Sequence, residues 1–163
     1  MTYLNIRNVF FFKQKTAYEI ETVSYGGDEA ASKEKILKRI RTYPEGFIVL
    51  ENEREIIGFI NAGATDNVVL SDEEFKELVG HDPNGTQIVI MSVVVHPDYQ
   101  GQGMAARLMD DFIGRMKAME KQEIYLICQT ELISMYARFG YKDLGPSDSD
   151  HGGLSWHEMS LTL

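Results

Sequence analysis

Internal sulfur crosslinks are excluded at once, because the 163 residues contain a single cysteine, Cys128. Such a chain suits a reducing compartment. No apolar run approaches the ~20 residues needed to cross a bilayer. Arg7 and the polar residues around it interrupt the amino-terminal apolar stretch where a signal peptide would need its core. A cytoplasmic protein is the expectation. Histidine is sparse, at His81, His96, His151 and His157, and with one cysteine the four make no zinc-ligand pattern, so no metal is expected. Positive charge is also short: Lys and Arg total 16 against 25 Asp and Glu, a net charge of −9. Proteins that grip a nucleic-acid backbone carry the opposite balance, so neither nucleic acid nor a membrane is expected as a partner. An acidic surface instead attracts cationic small molecules such as amines.

The 44% of hydrophobic residues suffices for one well-packed domain, taken as residues 1–163, and is too little for two. Tyr3–Phe12 reads as an edge strand running into a loop, although the three adjacent phenylalanines suit neither. Ala17–Tyr25 and Glu29–Arg41 read as helices, with Gly26 and Gly27 ending the first and Asp28 capping the second. Gly46–Glu51 and Glu55–Ala64 read as strands around a polar turn. Ser71 followed by Glu74 predicts a capping box on a short helix. Gln87–Val95 and Glu123–Ile127 read as strands buried on both faces. Between them, Met104, Leu108, Phe112 and Met116 recur at helical spacing along Gly101–Met119 and mark core. Glu131–Phe139 reads as a helix stopped by Gly140, and Tyr141–Leu144 and Leu154–Leu163 as closing strands. The result is a mixed α/β sheet with helices on its faces.

The stretch with the most chemistry is VVVHPDYQGQGMAARLMDDF, Val93–Phe112. No G-x-x-x-x-G-K-[ST] occurs, which excludes a Walker P-loop. Gly101, Gly103 and Ala106 satisfy the dinucleotide pattern G-x-G-x-x-A. Against that reading, five residues separate the strand from the first glycine, and no second mononucleotide half follows. The alternative takes Gln100-x-x-Gly103-x-Ala105 as the unit. Consecutive backbone N–H groups of Gly101, Gln102, Gly103, Met104, Ala105 and Ala106 then line a turn at the positive end of a helix, which holds a pyrophosphate without a cationic side chain. Gln100 adds an amide donor.

This run resembles motif A of the GNAT N-acetyltransferase superfamily, [RQ]-x-x-G-x-[GA], and Glu131–Tyr141 (ELISMYARFGY) resembles its motif B. Leu70–Glu73, His81–Gly85, Val94–Pro97 and Trp156–Met159 look similar to the arylalkylamine (serotonin-type) branch and its microbial relatives. The resemblance covers roughly residues 17–163. It implies a mostly antiparallel central sheet of about seven strands with helices on both faces, acetyl-CoA as cosubstrate, and a primary amine as acceptor, for a monomer or homodimer. It also implies that the strand before motif A splays from the next. Val93, Val94 and Val95 would offer their main chain to the pantetheine arm. An N–H from Val93 would polarise the thioester carbonyl, an oxyanion-hole device worth ~3 kcal/mol.

By the same resemblance Tyr136 stands at the thioester sulfur, where a phenol can return a proton to the leaving thiolate. Cys128 has no base beside it in sequence and reads as structural. An alkylamine must lose a proton before it attacks, and the serotonin-type enzymes are associated with two histidines on the strand before motif A. The matching positions hold Val89 and Met91, which cannot accept a proton. Glu21 on the first helix is the substitute candidate, acting directly or through water. Direct attack in a ternary complex is favoured. A small arylalkylamine or polyamine is the expected acceptor, with protein or peptide amines, or a non-catalytic acyl-CoA-binding module, as alternatives.

Overall fold

The structure is a computed structural model that describes residues 4–8, 32–53, 55–149 and 155–163. The expected helix Ala17–Tyr25, with Glu21 in it, and the phenylalanines Phe10–Phe12 lie outside the described residues. Seven strands form one sheet: β1 Leu4–Asn8, β2 Phe47–Asn52, β3 Glu55–Thr65, β4 Gln87–Val95, β5 Glu123–Cys128, β6 Lys142–Pro146 and β7 His157–Thr162. Their order is β1-β2-β3-β4-β5-β7-β6. Every neighbouring pair is antiparallel except β4–β5. This is the mixed, mostly antiparallel sheet that the sequence led us to expect.

Three α-helices are described, α1 Lys33–Thr42, α2 Met104–Ala118 and α3 Ile133–Arg138. Strand alternation divides the core between two faces. On one face Leu108, Met109, Phe112 and Met116 of α2 are buried against Ile48, Leu50, Ile88, Ile124, Leu126 and Met159. The stripe read from the sequence is core as expected. On the other face Ile36 and Ile40 of α1 pack on Phe47, Val49, Phe59 and Val94, and the rings of Phe47 and Phe59 stack at 5.2 Å. Arg39 of α1 is buried on this side. Its guanidinium donates to the Lys76 carbonyl at 3.1 and 3.2 Å, to Asn61 Oδ1 at 3.4 Å and to Ser92 Oγ at 3.4 Å. One buried cation therefore joins α1, β3, β4 and the short 3-10 turn Glu73–Glu77.

Three local expectations are corrected. α1 begins at Lys33, not Glu29: Ser32 is extended and its hydroxyl accepts from the Lys35 N–H at 3.3 Å, which caps the helix there. The short helix is a 3-10 turn capped by Asp72, not Ser71. The Asp72 carboxylate accepts from Glu74 N–H at 3.0 Å, which a 3-10 turn brings closer than a capping box requires. Finally, β4 and β5 are not buried on both faces. Their burial alternates, with Ile88, Ile90, Ile124 and Leu126 buried under α2 and Val89, Tyr125 and Ile127 only half-buried on the α1 face. Helix α2 seals one side of these strands, and the described elements on the other side leave a recess.

Candidate active site

The site grows from an irregularity in β4. Asn61 of β3 pairs with Ser92 and Ala62 pairs with Ile90, so Met91 is the extra residue of a β-bulge. The parallel ladder with β5 covers only Gln87–Val89 against Glu123–Tyr125. Beyond Val89 and Tyr125 the two strands continue without pairing to each other, β4 to Val95 and β5 to Cys128. A wedge-shaped gap opens in the middle of the sheet, with Val89 at its vertex. Val93 and Val95 pack toward the α2 face and Val94 toward α1.

The wide end of the wedge meets the glycine turn. The Gln100 amide donates to the Val95 carbonyl at 2.9 Å and ties the strand exit to the turn. Gly101 and Gly103 adopt φ of +73° and +79°, and a Cβ at either position would meet nothing within 4 Å, so the turn is left-handed and open on its outer side. Gly103 caps α2 without a side-chain bond, and the first bond into the helix runs from Arg107 N–H to the Gly103 carbonyl. No acceptor for the N–H groups of Gly101 to Ala106 is found among the described residues. No acidic side chain stands in that first turn. Donors without an acceptor among the described residues, at a helix amino terminus, suit an anion.

Tyr136 of α3 lies on the α2 face, buried, with its ring edge-on to Tyr141 at 5.7 Å. Burial pushes its phenol well above the ordinary tyrosine range, helped by nearby Cys128, so it is a neutral proton donor. Cys128, at the end of β5, is pushed up to about 11, mainly by burial, and its Sγ lies 3.6 Å from Met159 Sδ. A thiol so placed is a poor nucleophile, and its structural reading stands on this geometry.

The opposite face of the wedge carries polar as well as apolar side chains. Val89 and Tyr125 share it by register, as do Ile127 of β5 and Glu158 of β7. Ser147 Oγ donates to Glu158 Oε2 at 2.8 Å. Two residues on, Ser149 is buried and its Oγ lies 3.4 Å from Glu73 Oε1, so the segment after β6 reaches the 3-10 turn that covers β3 and β4. A cavity of about 290 Å³ is lined by Val89 together with Phe75, Val69 and Asp72.

The sequence reading did not single out Glu158 or Ser147. The signal was available, since Met159 reads as core and strand alternation turns its neighbour Glu158 to the other face. Glu21 lies outside the described residues. Of the histidines, His96 accepts from Asp98 N–H at 3.1 Å and serves the turn, as expected. His81 Nδ1 accepts from Ala64 N–H at 3.0 Å. No group of three or more His, Cys, Asp or Glu able to hold a metal occurs among the described residues, and no described helix is long and apolar enough to cross a membrane.

Comparisons with known proteins agree with the geometry. Residues 15–163 match the family model described as the acetyltransferase (GNAT) domain. The N-acetyltransferase ycf52 of Porphyra purpurea is 29% identical over 79 residues, which is 46% of this chain and 45% of that protein. The chain thus spans under half the length of that relative. Serotonin N-acetyltransferase of Mesocricetus auratus is 23% identical over 152 residues, covering 91% of this chain and 72% of its own. Among solved structures, the loading GNATL domain of CurA from Lyngbya majuscula superposes with a TM-score of 0.85 at 19% identity, over 98% of both chains. YncA of Salmonella typhimurium, solved with its cofactor acetyl-CoA, gives 0.73 at 19% identity, over 99% of this chain and 94% of its own.

Proposed function

The chain belongs to the GNAT acetyltransferases, and from that premise we propose that it moves acetyl from acetyl-CoA to a primary amine by direct attack. The observation that carries the reading is the wedge between β4 and β5, which ends at the donor-rich turn Gly101–Ala106. Pyrophosphate on that turn directs the pantetheine arm into the wedge. Main-chain groups of Val93, Val94 and Val95 line its β4 side, and the thioester comes to rest near the vertex. Gln100 holds the strand exit in register with the turn.

The amine nitrogen attacks the thioester carbonyl, the C–N bond forms and the C–S bond breaks. A backbone N–H at the bulge, with Val93 the assigned donor, carries the negative charge that develops on the carbonyl oxygen. The thiolate that leaves takes up a proton, and Tyr136, neutral and buried beside the wedge, supplies it and regains one from the attacking nitrogen. The acceptor, protonated in solution, must first give a proton to a carboxylate, for which Glu21 is the sequence's candidate. The excess of acidic residues supports a cationic acceptor, a small arylalkylamine or polyamine. The proposed setting is the cytoplasm.

The test is thiol release from acetyl-CoA across tryptamine, phenylethylamine, spermidine and a lysine peptide. Turnover with an amine supports the transferase. Tight coenzyme A binding with no thiol released above background for any of the four would contradict the amine assignment.

A further inference from the structure

We propose that Glu158 is the carboxylate that takes the proton from the acceptor's ammonium group. This rests on the acetyl-transfer reading above and deepens it by assigning the second half of the proton traffic to a residue on the described sheet.

The two faces of the wedge divide the chemistry. Tyr136 and Cys128 occupy the α2 face, so the sulfur leaves on that side. A nucleophile attacks a carbonyl from outside its plane, and the cavity that reaches Val89 at the vertex lies on the α1 face, so the acceptor approaches there. By cross-strand register Glu158 is on that face: it pairs with Ile127, two residues beyond Tyr125, which itself pairs with Val89 at the vertex. Each strand crossed is ~4.8 Å wide and each residue rises ~3.3 Å, so a glutamate side chain or one bridging water spans from β7 to the wedge.

The position suits a proton acceptor for two further reasons. Ser147 holds one carboxylate oxygen, Oε2, at 2.8 Å, and no partner is found for Oε1 among the described residues. The orientation is thus fixed while one oxygen is left to act. The 3-10 turn Glu73–Glu77 and Ser149 close over this face through the Ser149–Glu73 contact, which reduces solvent around an incoming amine. The other titratable and charged groups sharing the face by register or contact are Glu123 and Tyr125 of β5, Lys142 of β6, Asp72 and Glu73 at the 3-10 turn, and Arg39 of α1 through Ser92.

The proton step balances. The ammonium gives H⁺ to the Glu158 carboxylate, which becomes a carboxylic acid and returns the proton to solvent. The neutral amine attacks, and its second proton goes by way of Tyr136 to the leaving thiolate. Products are the amide, free coenzyme A and one released proton.

The test is the pH profile of kcat/KM for Glu158→Gln beside wild type and Glu21→Gln, together with coenzyme A affinity. The expected result for Glu158→Gln is a loss of ~100-fold near pH 7. The loss shrinks as pH rises toward the amine's own pKa of about 10, where free amine no longer needs a base. Coenzyme A affinity stays within about twofold of wild type, and Ser147→Ala shows a smaller loss with the same pH trend. A deficit constant with pH would mean that Glu158 only supports the fold, and would overturn the proposal. So would an unaltered Glu158→Gln profile with the pH signature in Glu21→Gln, which leaves acetyl transfer intact. Absence of turnover in wild type itself would remove both readings.

Discussion

His81 is packed 4.7 Å from the ring of Tyr43, with Nδ1 accepting the Ala64 N–H and a buried Nε2 for which no partner is found among the described residues. Burial lowers its pKa, so the folded state prefers the neutral ring. In the unfolded chain the ring protonates near pH 6.5. Between that value and the depressed folded one, the unfolded state binds more protons, and stability is lost as pH falls. Thermal unfolding followed from pH 7 to pH 5 should show Tm falling, and His81→Asn should flatten that limb. A variant with the wild-type slope would contradict the assignment. Carboxylates held low by hydrogen bonds, Asp66 by Thr86 and Asp143 by His157 and Gly145, act in more acidic solution and leave this window clear. Neighbouring Tyr43 is pushed up to about 12 by the same burial and is neutral throughout. None of this was legible in the sequence. His81 looked like a loop residue beside Asp82, because burial of a loop side chain is set by what folds onto it.

Among the elements, legibility followed periodicity. The α2 stripe was readable from spacing 3.6 and the seven strands from short apolar runs between turns, although the alternation of β4 and β5 was missed, and Gly140 stopped α3 where it was expected to. Where neighbouring side chains compete to cap, as at Ser32 and Asp72, the sequence offers several candidates and local geometry chooses. The bulge at Met91 and the end of the β4–β5 ladder at Val89 leave no mark in composition. The splay was expected only through resemblance, and the bulge was not expected at all. Two variants test what these elements contribute. Arg39→Met removes the donor to the Lys76 carbonyl, Asn61 and Ser92, and should destabilise the fold by about 2–4 kcal/mol in urea unfolding, the scale of a buried network that loses a charged donor. A change under about 0.5 kcal/mol would show that the network is dispensable. Gly103→Ala places a Cβ in the left-handed region at a cost of ~1 kcal/mol, a few degrees in Tm. Its Cβ meets no protein atom within 4 Å, so the fold accommodates it. A Cβ on the outer side of the turn would crowd a bound pyrophosphate, and coenzyme A Kd should rise more than tenfold. An unaltered Kd would place the phosphates elsewhere.

Over the whole molecule the sheet acts as a partition. In the proposed reaction, leaving-group chemistry is kept on the α2 face, beneath a helix that also presents the turn proposed to hold the pyrophosphate. In the same proposal, acceptor chemistry belongs to the α1 face, which Glu158 shares with Tyr125 and Val89 by register. The net charge of −9 favours a cationic acceptor over an anionic one. The account depends most heavily on Tyr136 as donor to the departing sulfur, and the most direct measurement removes only that hydroxyl. Tyr136→Phe keeps the buried ring and its edge-on contact with Tyr141. Acetyl-CoA turnover with the best amine should fall ~100-fold or more, the usual worth of a positioned general acid, while coenzyme A Kd and Tm stay near wild type. Turnover within about threefold of wild type would contradict the account.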